Sequence, residues 1–262
     1  MSLSGVVSRS AKPEPRTSRT MIKFDGVSKR YGDFVALDNV TLTVPSAQIT
    51  VLMGLSGSGK TTILRTVNKM VVPSSGTVSI DGVDVENLDA IPLRRSIGYV
   101  MQDVGLLPHK NALENVRLIA RIAGQSDDQA LANAKDMLVM VGISEQQFTR
   151  YPHQLSGGQQ QRVGVARALA TKPKILLMDE PFGAVDPIVR EELQAELCRI
   201  QRELGLTVLF VTHDRYEALS IADKLVVLSQ GGHIEQQGTP ADLTAHPANE
   251  FVAKLLGVPW SG

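Results

Sequence analysis

Cysteine is almost absent: Cys198 is the only one in 262 residues. A lone thiol excludes an internal disulfide framework and suits a reducing compartment. An excess of one charge is also absent, since Lys+Arg and Asp+Glu number 27 each. No overall field therefore favours nucleic acid or an anionic membrane. No apolar run approaches the roughly 18 residues that span a bilayer. The start, MSLSGVVSRSAKPEPRTSRT, lacks the apolar core of a signal peptide. Its Ser, Pro, Arg and Thr content predicts a disordered tail over 1–20. Repeats, heptad arrays and low-complexity linkers are missing too. The expectation is a cytoplasmic, soluble chain of one large α/β domain or two small ones, acting at a membrane only through a partner.

What is present begins with Gly54-Leu55-Ser56-Gly57-Ser58-Gly59-Lys60-Thr61, which fits G-x-x-x-x-G-K-[ST], the phosphate-binding loop. Residues 48–53 ahead of it read as a buried strand, and 62–69 after it as a helix. In that setting the glycines let successive backbone N–H groups turn inward around phosphates, and the helix adds its positive dipole end. Lys60 can then reach the β- and γ-phosphates, and the Thr61 hydroxyl can ligate magnesium. The bland alternative, a Gly/Ser turn that merely joins strand to helix, is disfavoured by these flanks. The pattern predicts nucleotide binding.

Further strands are predicted over 22–27, 40–44, 77–82, 97–101, 175–178 and 208–211, with a closing hairpin from 225–228 and 233–236. Tyr31, ahead of a turn, reads as a loop residue, either half-buried or an aromatic platform for an adenine ring. From 103 to 151 no strand is convincing. There Ala130, Leu131, Ala134, Met137, Leu138 and Val141 mark one helical face, with Ser126 as cap and Gly142 as stop. This reads as a helical insertion in a parallel-sheet core.

Ser156-Gly157-Gly158 opens another helix, with Val163, Ala166, Leu169 and Ala170 on one face and Lys172-Pro173 at its end. Its start is either a capped terminus with glycines for close packing or a second anion site. The apolar run 175–178, expected of a central parallel strand, delivers Asp179 and Glu180 to the edge where ligands bind in open α/β sheets. Two adjacent carboxylates there read as a cation site or as a solvated pair. Asp186-Pro187 caps a helix whose predicted buried stripe is Leu193, Leu197, Ile200 and Leu204. His213 ends a core strand, where a histidine is a better functional candidate than elsewhere. Two short helices close the chain.

The order Tyr31, phosphate loop, Gln102, Leu155-Ser156-Gly157-Gly158-Gln159, apolar strand with Asp179-Glu180, Asp186 and His213 resembles the ABC transporter ATPase family. The match runs from residue 22 to about 245, and the signature at this separation from a phosphate loop is very specific. The resemblance implies an α/β phosphate-loop NTPase fold: a RecA-like, mainly parallel core sheet, an N-terminal antiparallel β subdomain and an inserted α-helical subdomain. The expected organisation is one ATPase domain over 21–262, with 21–102 and 152–262 as catalytic core and 103–151 as the helical subdomain.

The same resemblance implies ATP and Mg²⁺ as cofactors. Gly54, Leu55, Ser56, Gly57, Ser58, Gly59, Lys60, Thr61 and Thr62 would hold the phosphates, and Tyr31 would stack on adenine. Asp179, Thr61 and Gln102 would hold Mg²⁺, while Glu180 would polarise the attacking water. His213 would contact the γ-phosphate, and Gln102 would sense both magnesium and the membrane partner. Asp186 would lie on a loop crossing a dimer interface. Leu155, Ser156, Gly157, Gly158 and Gln159 would close over ATP held by the other subunit. Such hydrolysis needs positioning and charge stabilisation rather than a covalent intermediate.

Finer wording is similar to the osmoprotectant importers, those for glycine betaine, choline, carnitine or proline. It lies in Ile97-Gly98-Tyr99-Val100-Met101-Gln102 with Gly105-Leu106-Leu107-Pro108-His109, in 151–168, and in 179–188. The implied partners are integral-membrane permease subunits, an extracytoplasmic solute-binding protein acting through the permease, and a second copy in an ATP-bound homodimer. The implied location is cytoplasmic and peripheral, on the inner face of the cell membrane. An ATPase for another permease stays open. One acting on DNA or ribosomes would carry a coiled-coil arm or a second cassette. Here about 50 residues without heptads separate Gln102 from the signature, and the charge balance disfavours nucleic acid. Many osmoprotectant ATPases end in a pair of CBS domains. This chain ends at Gly262, so gating through such domains is not expected.

Overall fold

The computed structural model of the chain describes residues 20–183 and 185–260; apart from Thr20, the predicted tail lies outside them. Two long strands, β1 (Thr20–Tyr31) and β2 (Phe34–Pro45), lead into β3 (Ile49–Gly54), α1 (Lys60–Val67), β4 (Ser75–Ile80) and β5 (Val83–Asp84). Then come α2 (Ala90–Ser96), β6 (Ile97–Val100), α3 (Ala112–Ile122), α4 (Asp127–Met140) and α5 (Gly157–Leu169). The last part alternates through β7 (Ile175–Asp179), α6 (Pro187–Leu204), β8 (Thr207–Thr212), α7 (Arg215–Ile221) and β9 (Lys224–Leu228). It closes with β10 (Ile234–Gly238), α8 (Pro240–Ala245) and α9 (Glu250–Leu256).

Strands in the order β2-β1-β4-β5 form an antiparallel sheet, and β10-β9-β3-β8-β7-β6 a second one. In the second, β9, β3, β8, β7 and β6 run parallel, and β10 closes the predicted hairpin with β9. The parallel strands are continuous apolar runs because both faces are covered. Successive residues point to opposite faces. Val51, Met178, Val208, Phe210 and Val227 pack with the helices, whereas Leu52, Leu177, Leu209 and Val226 pack with α1 and the antiparallel sheet. The strand that feeds the phosphate loop, β3, therefore sits in the middle, between β9 and β8.

Between β6 and β7 the described residues form helices and turns only. α4 buries Ala130, Ala134, Met137 and Leu138 of the predicted face, with Val141 behind them and Leu131 only half-buried, and Ser126 caps it in a capping box with Gln129. Several elements differ from the sequence reading: β2 begins at Phe34 rather than at residue 40, and β4 runs from Ser75 to Ile80 rather than over 77–82. α1 begins at Lys60 rather than at residue 62, since the left-handed Gly59 (φ 86°) ends the loop directly before the lysine. Tyr31 is the last residue of β1, paired with Phe34, and not a loop residue. Leu204 leaves the buried stripe of α6 and is 41% exposed. There the helix ends on Gly205 (φ 62°), and Leu206 N–H bonds back to Gln201 O, which puts Leu206 into the core in its place. α2 and α7, seven residues each, are too short to declare a helical period.

Candidate active site

The phosphate loop is shaped by what a side chain would strike. A Cβ on Gly54 would lie 2.4 Å from Leu228 O and 2.6 Å from the Ser58 hydroxyl, so only glycine fits where β3 passes β9. Gly59, left-handed, lies against Ala36 O and the Leu37 side chain of β2, which seats the β1–β2 hairpin beside the loop. As the cap of α1 it offers no side-chain acceptor to the first N–H groups of the helix. Those donors and the helix dipole are left for an anion.

Lys60 opens α1 and is 5% exposed. Its Nζ donates to Gly54 O and Leu55 O, each at 2.8 Å, and more distantly to the Ser58 hydroxyl. Burial pushes its pKa down, against the pull of Glu180 and Asp179. The ammonium is thus held by carbonyl dipoles of the loop itself, ready for a stronger counter-charge.

Next to it, Thr61 Oγ1 donates to Asp179 Oδ1 at 2.7 Å. The other carboxylate oxygen receives the Tyr99 hydroxyl at 3.4 Å and faces an Arg65 nitrogen at 3.8 Å. Burial pushes the Tyr99 hydroxyl pKa up, with Arg65 opposing it. Sequence reasoning missed both neighbours, although Arg65 stands one helical turn from Thr61 and so on its face. No group of three or more His, Cys, Asp or Glu among the described residues is placed to hold a metal. Magnesium on Thr61 and Asp179 would need further oxygens, which nucleotide phosphates supply. The residues fit the ion and the nucleotide together.

Glu180, the residue after β7, has φ 45°, outside the usual range for a side chain of its size. Its N–H still bonds to Val211 O at 3.0 Å, extending the pairing of β7 with β8. On the β8 side His213 follows directly, and its Nδ1 lies 2.9 Å from Glu180 Oε2. With the carboxylate as acceptor, Nδ1 carries the proton. Asp214 then caps α7 by accepting from Tyr216 N and Glu217 N. Arg190 of α6 pairs with its other oxygen at 2.9 Å, a contact that sequence reasoning did not foresee.

The fold thus joins Lys60, Thr61, Asp179, Glu180 and His213 at one sheet edge. Other candidates stand apart from it. Gln102 is exposed two residues beyond β6, at the same edge because Val100 pairs with Met178, but it bonds to none of them. Ser156 caps α5 in a capping box with Gln159, and among the described residues neither side chain touches the phosphate loop, Asp179, Glu180 or His213. Leu155 is buried beneath that turn. Asp186 is exposed and caps α6 through Ile188 N at 3.0 Å. Tyr31 is 50% exposed, with the Lys29 ammonium 4.9 Å from its ring centre.

Residues 37–183, more than half of the chain, match the family described as ABC transporter. The chain is 44% identical over 238 residues to the glycine betaine/carnitine/choline transport ATP-binding protein OpuCA of Bacillus subtilis, covering 90% of this chain and 62% of that protein. It is 48% identical over 230 residues to the sulfate/thiosulfate import ATP-binding protein CysA of Mycobacterium bovis, covering 88% and 64%. It therefore spans less than two thirds of the length of either relative. In structure it is similar to the ATP-binding cassette MJ0796, solved as a dimer in a post-hydrolysis state bound to ADP and Pi. The TM-score is 0.75 and the identity 35%, over 84% of this chain and 99% of that one. Motif order, sheet topology and these matches agree: the chain has the α/β fold of ABC ATPase cassettes and belongs to the ABC transporter family.

Proposed function

We propose that this chain is the ATP-hydrolysing subunit of an importer, working as a dimer on a separate membrane permease at the cytoplasmic face. One arrangement carries the reading: Thr61–Asp179 and Glu180–His213 meet at one sheet edge, while Ser156 and Gly157 of the signature turn are exposed and, among the described residues, engage nothing there. The loop amides and Lys60 would bind the phosphates, and Thr61 and Asp179 would hold Mg²⁺, which would offset charge on the phosphate oxygens. Glu180, held by His213 at the strand end, would orient the attacking water and accept its proton. His213 fixes Glu180 from the neighbouring strand, and its ring would face the γ-phosphate of a bound nucleotide. Ser156 to Gln159 serve the nucleotide of the second copy, with Asp186 at the interface.

For the solute we propose an osmoprotectant quaternary amine, supported by the wording of 97–109 and 151–168 and by the relative named for glycine betaine, carnitine and choline. The sulfate/thiosulfate relative favours an anion as the second reading. Coupling runs through 103–109. Arg167 of α5 holds the carbonyls of Val104 and Gly105 at 2.5 and 2.6 Å, so a permease element that moves this segment moves the signature helix. Substitutions in 105–109 should lower solute-stimulated ATP turnover and uptake about tenfold more than basal turnover. The measurement is uptake into vesicles holding the full complex, with both ATPase rates read side by side. Equal losses would place the segment in the hydrolytic machinery. Stimulation by sulfate and by no quaternary amine would replace the solute.

A further inference from the structure

Two segments that carry candidate residues are tied by a single side chain. Arg190, in the first turn of α6, donates from Nη1 to Asp214 Oδ2 at 2.9 Å and from Nη2 to Val185 O at 3.2 Å. Val185 adjoins Asp186, and Asp214 adjoins His213. The other Asp214 oxygen is already engaged in capping α7, so the ion pair acts on a residue whose position is set by the helix. One turn further along, Gln194 faces Glu217 across 3.5 Å and accepts from the Ser220 hydroxyl at 3.0 Å. α6 and α7 are thereby joined at two successive turns. Arg190 Nε is buried without a partner, so the fork is held at the cost of one unsatisfied donor. A planar guanidinium can span a carboxylate and a carbonyl at once, and an ammonium cannot do so with the same geometry.

We infer that Arg190 is a positioning residue for hydrolysis. It locks the Asp186 loop to the His213 turn, so that the Glu180–His213 contact at 2.9 Å persists only while those two segments move as one. The inference rests on the reading of the chain as an ATPase. Among the described residues Arg190 forms no hydrogen bond or ion pair with residues 54–61, so nucleotide affinity should not depend on it.

The test is kcat and KM for MgATP of the purified full chain, as wild type and as Arg190→Ala, Arg190→Lys, Asp214→Asn and the double variant Arg190→Ala/Asp214→Asn. Arg190→Ala should lower kcat about tenfold and leave KM within about twofold. Arg190→Lys should recover part of that loss, because it keeps the charge facing Asp214 but not the second arm. Asp214→Asn should fall by a similar factor, and the double variant should fall no further than either single one. Unchanged kcat in Arg190→Ala, or losses that add, would overturn the inference. A rise in KM together with a lower melting temperature would reduce Arg190 to a helix-packing role and overturn it as well. If Arg190→Ala does not fold, wild-type kcat in both Arg190→Lys and Asp214→Asn has the same force. A wild type that hydrolyses no ATP would overturn the ATPase reading itself, and the inference with it.

Discussion

The N-termini of α1 and α5 were both legible as anion sites, and the fold treats them differently. α1 is capped by a glycine that has no side chain to satisfy its first N–H groups, and its first two side chains, Lys60 and Thr61, turn toward the loop and Asp179. α5 is capped by Ser156, and its third N–H is taken by that hydroxyl in a capping box. The first terminus has donors and a buried ammonium awaiting a ligand. The second is complete by itself, with Ser156 and Gly157 exposed, and among the described residues its cap bonds to nothing at the sheet edge. A helix start that needs a ligand belongs to binding. One that is complete alone can be offered to another chain without loss of stability, which is what a shared site requires.

Glu180→Gln gives the largest effect expected from that contrast. It removes the proton acceptor and leaves Lys60, Thr61 and Asp179 in place. Turnover should fall by about 10²–10⁴, and an ATP-bound dimer should accumulate on gel filtration. A variant that stays monomeric with saturating MgATP, beside a fully active wild type, would break the shared-site reading.

Gly157→Asp sharpens the comparison from the other end. A Cβ at Gly157 meets nothing within 4 Å, so the side chain fits its own chain. A carboxylate in the first turn of α5 should even stabilise it, by about 0.3–1 kcal/mol. Facing a partner's γ-phosphate, the same charge should cut turnover at least about tenfold through like-charge repulsion, with nucleotide binding by the lone chain unchanged in calorimetry. The neighbour is the control: a Cβ at Gly158 would sit 2.6 Å from a methyl of Val189, so Gly158→Val should lose about 1–3 kcal/mol of stability. Full turnover in Gly157→Asp would remove α5 from the site.

The smallest effect concerns the hairpin seated beside α1. Tyr31→Ala should lose about 1–3 kcal/mol of ATP binding, in line with base–aromatic stacking. Tyr31→Phe should be nearly silent, and ATP should be only weakly preferred over GTP. Equal losses in both variants would transfer the role to the phenol hydroxyl.

The phosphate loop was readable because its chemistry is contiguous. Gly59, Lys60 and Thr61 do their work within one turn of backbone, and the glycine spacing reports the positive φ that the turn needs. Ser126 and Ser156 were readable as caps for the same reason. Leu204 was misread because helical period alone does not say where a helix stops, and Gly205 with Leu206 decided that. Arg65, Tyr99 and Arg190 were missed because each acts on a residue of a different element, and no local pattern marks such a pair.

By itself the sequence determined the loop, the signature cap and the carboxylates at a strand end, since φ preferences, capping and side-chain alternation are short-range and survive without the rest of the chain. Only the tertiary structure decided that Thr61 meets Asp179, 118 residues away, and that Glu180 meets His213, 33 residues away. Those contacts depend on β3, β8 and β7 lying side by side in that order. That order follows from non-local burial of both sheet faces, which no single segment encodes.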